Sequence, residues 1–407
     1  MARADMSLNA KHTKIAGYIG YLTQALTINF APLLFLTFVN TYGLTLTRIS
    51  TLVAISFSVQ LLTDAFEAKF ASKLNTRATV VIGHILAVVG VTGYAYLPEI
   101  MPTPFIGLLI CTVTSAVGAG IVEVLISPII EACPTGEKSA AMSLLHSFYS
   151  WGQVGVVLLS TLFFTLVGIE HWRILSLIWA IIPATGAFAF AVVPIYELEA
   201  DTLPTEERKK RSAGTSGLFF VFFTLMVCAG AAEMVMSQWA STFAESGLGI
   251  SKTLGDLLGP CAFALLMGIA RLIYAKSSEK INLDKFILVS AILCVVSYFI
   301  AALSPNPIIS LVGCALCGLS VGVMWPGTYS LATARMSGVG VQMFALLALG
   351  GDLGCMIGPA AAGWFAGLFG DNLRISFLLA SVFPIIIILL LCLWSRKNKS
   401  ANKERKL

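Results

Sequence analysis

Charge is scarce in this sequence. Only 12% of its 407 residues are Asp, Glu, Lys or Arg, about half the share found in a soluble protein. So few charges cannot clothe a surface in water, which excludes an ordinary soluble globule. No glycine-rich phosphate-binding loop is present, so direct coupling to ATP is not expected. The nine cysteines are odd in number and irregularly spaced, and lie in or beside apolar segments. Cys314 and Cys317 have CxxC spacing but no second pair accompanies them. They are read as small apolar filler, and no metal, cofactor or enzyme chemistry is expected.

What the chain does have is apolar residues, 57% of the total. They come in runs of about 20 or more without period-two alternation, the length and pattern of a membrane-crossing helix. In lipid every backbone polar group must be satisfied within the segment, which helices achieve. Spans are expected at 14–40, 46–68, 78–97, 103–131, 139–168, 173–195, 215–243, 254–275, 284–303, 308–334, 340–369 and 373–395. The first 13 residues are polar, and the run that follows is too long for a signal-peptide core. The fold class is therefore an all-α polytopic membrane protein of twelve helices in two six-helix, pseudo-symmetric bundles.

Charge distribution orients the spans. Arg48, Arg173, Lys252 and Arg374 fall on one side, and the other 22 of the 26 basic residues fall on the side of the two termini. The excess of Lys and Arg marks the cytoplasmic side, so both termini are expected there, in the cell membrane. The net charge of +5 is thus a topology signal, not a nucleic-acid patch. The longest polar break, "ELEADTLPTEERKKRSAGTSG" at 197–217, divides six spans from six. It gives an N-terminal bundle over 1–196, a cytoplasmic linker over 197–214, a C-terminal bundle over 215–395 and a basic tail over 396–407. The halves echo each other at an offset of about 202: Ala68-Lys69 with Ala270-Arg271, Gly120 with Gly322, and "HWRI" (171–174) with "NLRI" (372–375). Parallel six-helix repeats of this kind are found in secondary transporters.

Three stretches carry a family resemblance: "GAGIVEVLISP" (118–128), "HSFYSWG" (146–152) and "GAAEMVMSQWAS" (230–241). With them the chain resembles the major facilitator superfamily over its whole length, and within it the fucose/galactose/glucose–proton symporter branch and its bacterial relatives. The resemblance implies alternating access and places a proton-coupling acid at Glu123. A second acid is expected in the first span, where "ALTINFAPL" offers Asn29 instead. The glycine-rich loop after the second span is replaced by "DAFEAKFASKLNTR", which keeps Asp64 and basic residues.

Polar residues within the spans supply the remaining candidates, since ionisable groups at membrane depth are costly and generally functional. Ala116, Gly120, Glu123, Ser127 and Glu131 form one helical stripe. Pro128 removes a backbone donor and frees the carbonyl of Val124. Folding the fourth span onto the fifth brings Glu123 and His146 to equal depth, so a hydrogen-bonded, titratable pair is expected. Glu233 and Asp352 complete the proton-coupling set. Gln24, Asn29, Gln153, Gln238, Trp239, Trp325 and Tyr329 are candidate solute contacts. Trp325 is the counterpart of Glu123 in the second half, and its ring suits the apolar face of a sugar. Gly350, Gly354 and Gly358 mark a close-packing face. Asp64, Lys69 and Arg271 lie towards the cytoplasmic ends and are assigned to a gate. The expectation is a monomeric, proton-coupled symporter of a sugar or other small polar solute. The alternative is a proton-coupled exporter of drugs or metabolites.

Overall fold

A computed structural model describes residues 8–70, 74–134, 138–196, 216–277, 282–335 and 341–404. The expected linker at 197–214 lies outside the described residues. Every element among the described residues is helical. Twelve helical stretches are long and apolar enough to cross a membrane. In the first half these spans 1 to 6 are Ala10–Tyr42, Leu46–Glu67, Thr76–Gly93, Pro104–Ile130, Leu144–Val167 and Ile169–Val192. In the second half spans 7 to 12 are Gly217–Gly247, Lys252–Tyr274, Leu283–Leu303, Pro307–Ala332, Leu346–Leu368 and Leu373–Leu393. Each agrees with its expected run to within a few residues.

Local chemistry sets the helix starts. The side chains of Asn75, Thr103, Asn282, Asn306 and Asn372 accept from backbone amides at the openings of spans 3, 4, 9, 10 and 12. Each satisfies a donor that the first turn leaves without a partner. Pro104 and Pro307 follow directly, at positions where a missing N–H costs nothing. Large apolar side chains such as Leu62, Leu166, Phe188 and Phe220 point outward and are exposed, as a surface facing lipid requires.

The chain divides into two compact units. The first is Met1–Tyr42 with Ile55–Leu203, and the second is Gly43–Ala54 with Pro204–Leu407. The turn at Gly43, with φ of 65°, separates the first two spans. The internal repeat is visible in the packing of each unit. In the first, a Cβ on Gly120 of span 4 would lie 2.9 Å from Asp64 Oδ1 and 3.0 Å from Thr63 Cβ of span 2. In the second, a Cβ on Gly322 of span 10 would lie 2.8 Å from the Met267 carbonyl and 3.0 Å from Ala270 of span 8. Each glycine admits the corresponding neighbour. The arginines of the HWRI and NLRI pair also match in role. Arg173 binds Glu99 and the Tyr42 hydroxyl, with its guanidinium over the Trp172 ring. Arg374 donates to the carbonyls of Ala302 and Ser304 at 3.0 and 2.7 Å, with its guanidinium over Phe243. Both pin the start of the last span in their unit to the turn after the third.

Spans 6 and 12 are interrupted at Ala180 and Ser381, and spans 1 and 10 are broken beside prolines. Span 1 is α-helical over Ala10–Asn29 and resumes as a 3₁₀ turn at Ala31–Leu34 that contains Pro32. Span 10 stops at Val321 and restarts at Met324. Pro326 lies four residues beyond Gly322 and has no N–H to give its carbonyl.

Candidate functional site

In the first unit the polar residues gather around Glu123. Its carboxylate accepts from Gln60 Nε2 of span 2, and Gln24 of span 1 is a second hydrogen-bond partner. Both glutamines are buried. Glu123 is half-buried; partial burial of a carboxylate is tolerable when donors replace its water, and here the donors are neutral amides. One turn further along, Ser127 hydrogen-bonds the Tyr21 hydroxyl at 2.9 Å.

Equal depth does not make Glu123 and His146 partners. Glu123 meets Gln60 and Gln24, whereas His146 stands exposed with its ring edge-on to Tyr21 at 5.2 Å. Depth along a helix fixes height but not rotation. Tyr21 touches Ser127 through its hydroxyl and His146 through its ring. Asn29 is buried and donates to the Ala25 carbonyl at 2.9 Å, which ties it to the break in span 1. Gln153 is buried in span 5.

The second unit builds a different arrangement. Glu233 of span 7 faces Arg271 of span 8, with Oε1 and a terminal guanidinium nitrogen 3.5 Å apart. Arg271 Nε also donates to the Gly322 carbonyl at 3.4 Å, the one that Pro326 leaves without a helical donor. The expected gate position of Arg271 thus differs from where its charge is. Side chains on a helix lean towards its N-terminus, and in span 8 that direction leads from the termini side into the membrane. Gly230, one turn before Glu233, packs on Gly351 of span 11; a Cβ there would lie 2.3 Å from the Gly351 carbonyl. Gly351 in turn receives the Trp325 ring, with Cη2 2.0 Å from where a Cβ would stand. Spans 7, 8, 10 and 11 therefore converge on Glu233, Arg271 and Trp325.

The other candidates scatter. Trp239 is fully enclosed and donates Nε1 to the Pro359 carbonyl at 2.9 Å, so its ring packs span 7 on span 11. Gln238 beside it is buried, while Tyr329 and Asp352 are half-buried. Gly350, Gly354 and Gly358 face Phe223, Val227 and Ala231 of span 7, the close-packing face that their spacing implies. Asp64 is buried against Gly120. Lys69 lies in the helix of span 2, its side chain outside the described set.

Three features go beyond the sequence reading. Gln60 is one; with Asp64 and Glu67 it forms a buried polar row at spacings of four and three on span 2, a pattern that could have found it. His84, whose place in the sequence near the cytoplasmic end suggests a gate or loop contact, is another: it is fully buried among Gly20, Gly186 and Phe190, with Nδ1 2.8 Å from the Val80 carbonyl. The third is an ion cluster at the turn between spans 7 and 8. Asp256, 1% exposed, accepts from Ser241 at 2.5 Å and from Lys252 at 3.2 Å, with Glu245 3.9 Å from the same ammonium. Lys252 looks like a loop charge in sequence, because Asp256 is separated from Ser241 by the turn.

Twelve spans in an internally repeated, all-helical architecture, with ionisable groups at membrane depth, define a multi-pass membrane transporter. The Major Facilitator Superfamily model matches residues 17–343 and 248–406, and the chain belongs to that family. No curated protein sequence matches it. Among solved structures, a bacterial homolog of the human lysosomal transporter Spinster is similar at TM-score 0.74 and 15% identity, over 95% of this chain and 97% of that one. The xylose transporter XylE from E. coli is similar at TM-score 0.75 and 13% identity, over 94% and 97%. A mutant form of the nucleoside transporter NupG is similar at TM-score 0.71 and 11% identity, over 94% and 98%. At these identities the likeness shows the fold alone.

Proposed function

We propose that this chain is a proton-coupled symporter of a sugar or other small polar solute, working by alternating access in the cell membrane with both termini in the cytoplasm. The observation that carries the reading is the setting of Glu123. It is an acid at membrane depth whose hydrogen-bond partners, Gln60 and Gln24, are neutral. An ionised carboxylate is costly where water is excluded, and a neutral acid is not. A conformational cycle that wets and then dries this site is therefore tied to the gain and loss of a proton. A penalty of a few kcal/mol on the unprotonated closed state is enough for such coupling. The fold is shared with a D-xylose–proton symporter, which is in keeping with this reading.

The test is Glu123→Gln in reconstituted vesicles. The variant mimics the protonated form permanently. Uptake driven by a pH gradient should be abolished, while solute counterflow should persist. Concentrative uptake at the wild-type level, with an unaltered pH profile, would falsify the assignment of the proton to Glu123. The sign of the proton movement on solute addition separates symport from the exporter alternative.

A further inference from the structure

Arg271 belongs to the last turns of span 8, and an arginine so placed ordinarily extends to the nearer interface. Here it extends the other way, to Glu233 and to the Gly322 carbonyl at the break in span 10. The pair is unequally buried: the Arg271 side chain is 25% exposed and that of Glu233 is 7% exposed. A pair serving packing alone would gain from covering both. The Nε bond to Gly322 fixes the guanidinium plane, and the terminal nitrogens form the fork that suits a carboxylate. Trp325, three residues beyond Gly322, supplies an apolar ring beside the same break.

We propose that Arg271 is the receptor for a carboxylate on the transported solute, and that Glu233 takes up a proton when the solute carboxylate replaces it. This rests on the symport reading above and narrows its substrate class to acidic solutes such as sugar acids. Charge balance sets the mechanism. Whatever charge the neighbouring groups carry, adding one carboxylate to Arg271 and ionised Glu233 makes the site one unit more negative at membrane depth, which is costly. One proton from water, bound by the displaced Glu233 carboxylate, cancels the added charge. Among the described residues, the neighbouring spans bring these titratable and polar groups towards Glu233. Span 8 presents Arg271. Span 9 presents Tyr298, whose hydroxyl donates to the Ala232 carbonyl at 2.7 Å. Span 10 presents the Gly322 carbonyl to Arg271. Span 11 brings Gly351 and the Cys355 thiol against Gly230, with Asp352 half-buried in the same turn.

The experiment is equilibrium binding to the purified, full-length protein in detergent, with paired probes: glucose and glucuronate, galactose and galacturonate, and simple acids such as lactate and succinate. Carboxylates should raise the melting temperature by mass action and neutral sugars should not. Calorimetry in two buffers of different ionisation enthalpy should show uptake of about one proton per carboxylate bound, on the charge balance at depth. Arg271→Gln should weaken carboxylate binding by about 100-fold, as expected for a charge that loses its partner. Because that variant strands Glu233, the double variant Glu233→Gln/Arg271→Gln, neutral at both positions, provides a folded comparison and should also fail to bind. Glu233→Gln alone should bind the carboxylate without the proton. Binding of neutral sugars in preference to acids, a panel in which no carboxylate binds, retained binding in the double variant, or binding to the wild-type protein without proton uptake would each overturn the proposal. Failure of the symport reading shows up elsewhere, in gradient-driven flux through vesicles.

Discussion

Gly351→Ala tests the geometry around Trp325 without touching any ionisable group. An added Cβ would stand 2.0, 2.4 and 2.6 Å from Cη2, Cζ3 and Cζ2 of the indole. Carbon atoms in contact prefer roughly 3.5–4.0 Å, so the ring or the helix must retreat by about 1.5 Å. Span 11 has little freedom to do so, because the Gly351 carbonyl already lies against Gly230 of span 7. The indole must therefore turn away. Overpacking of this kind costs about 1–3 kcal/mol, and the protein should melt at a lower temperature with altered tryptophan emission. If Trp325 also lines the solute site, affinity should fall by about tenfold, since each 1.4 kcal/mol is a factor of ten. Trp325→Leu in the Gly351→Ala background should recover the stability but not the affinity. The coupling between the two positions, measured as a double-mutant cycle, should exceed about 0.5 kcal/mol. A Gly351→Ala variant with wild-type melting and emission would refute the contact.

Two other substitutions have defined outcomes. Trp325→Ala should weaken solute binding by about 1–3 kcal/mol, the scale of a buried aromatic anchor; equal affinity in a folded variant would leave the ring a purely packing role. Asp256→Ala strips Lys252 of its nearer carboxylate and Ser241 of its acceptor. It should destabilise the second unit by about 3 kcal/mol, the lower end for breaking a buried pair because Glu245 remains. Denaturant unfolding that shows a loss below about 1 kcal/mol would contradict that account.

The spans were legible because lipid imposes one rule everywhere: a run of about 20 apolar residues must be helical. The repeat was legible where backbone contact forces glycine, at Gly120 and Gly322, and where an arginine must find carbonyls or a carboxylate, at Arg173 and Arg374. Site chemistry was legible only as residue type. That Glu123 is special follows from its solitude in an apolar run. That its partners are Gln60 and Gln24, not His146, depends on how spans 1, 2 and 4 rotate about their own axes, and no periodicity encodes that. Arg271 shows the same limit. Its position in the chain points to the interface, while the missing donor at Pro326 and the acid at Glu233 draw it inward. The Asp256 cluster depends on a turn that brings residues 15 apart to 2.5 Å.

The two membrane acids differ in what their partners can do. An amide is both donor and acceptor. Gln60 donates Nε2 to an ionised Glu123, and the same side chain, turned over, accepts from the acid when it is protonated. The hydrogen bond survives either charge state, so a change of proton need not disturb the packing of spans 2 and 4. A guanidinium can only donate, and Arg271 therefore favours one state of Glu233, the ionised one, until another anion takes its place. On this basis Gln60→Arg should convert the first kind of site into the second. The new cation would hold Glu123 ionised and bar the dry, protonated state. Gradient-driven uptake should then fall to background while the protein remains folded and monodisperse in detergent. Gln60→Asn, which shortens the side chain but keeps both functions of the amide, should retain part of the uptake. If Gln60→Arg vesicles accumulated solute at the wild-type rate with the same dependence on external pH, the neutral surroundings of Glu123 would be incidental, and the proton would have to move through the second unit.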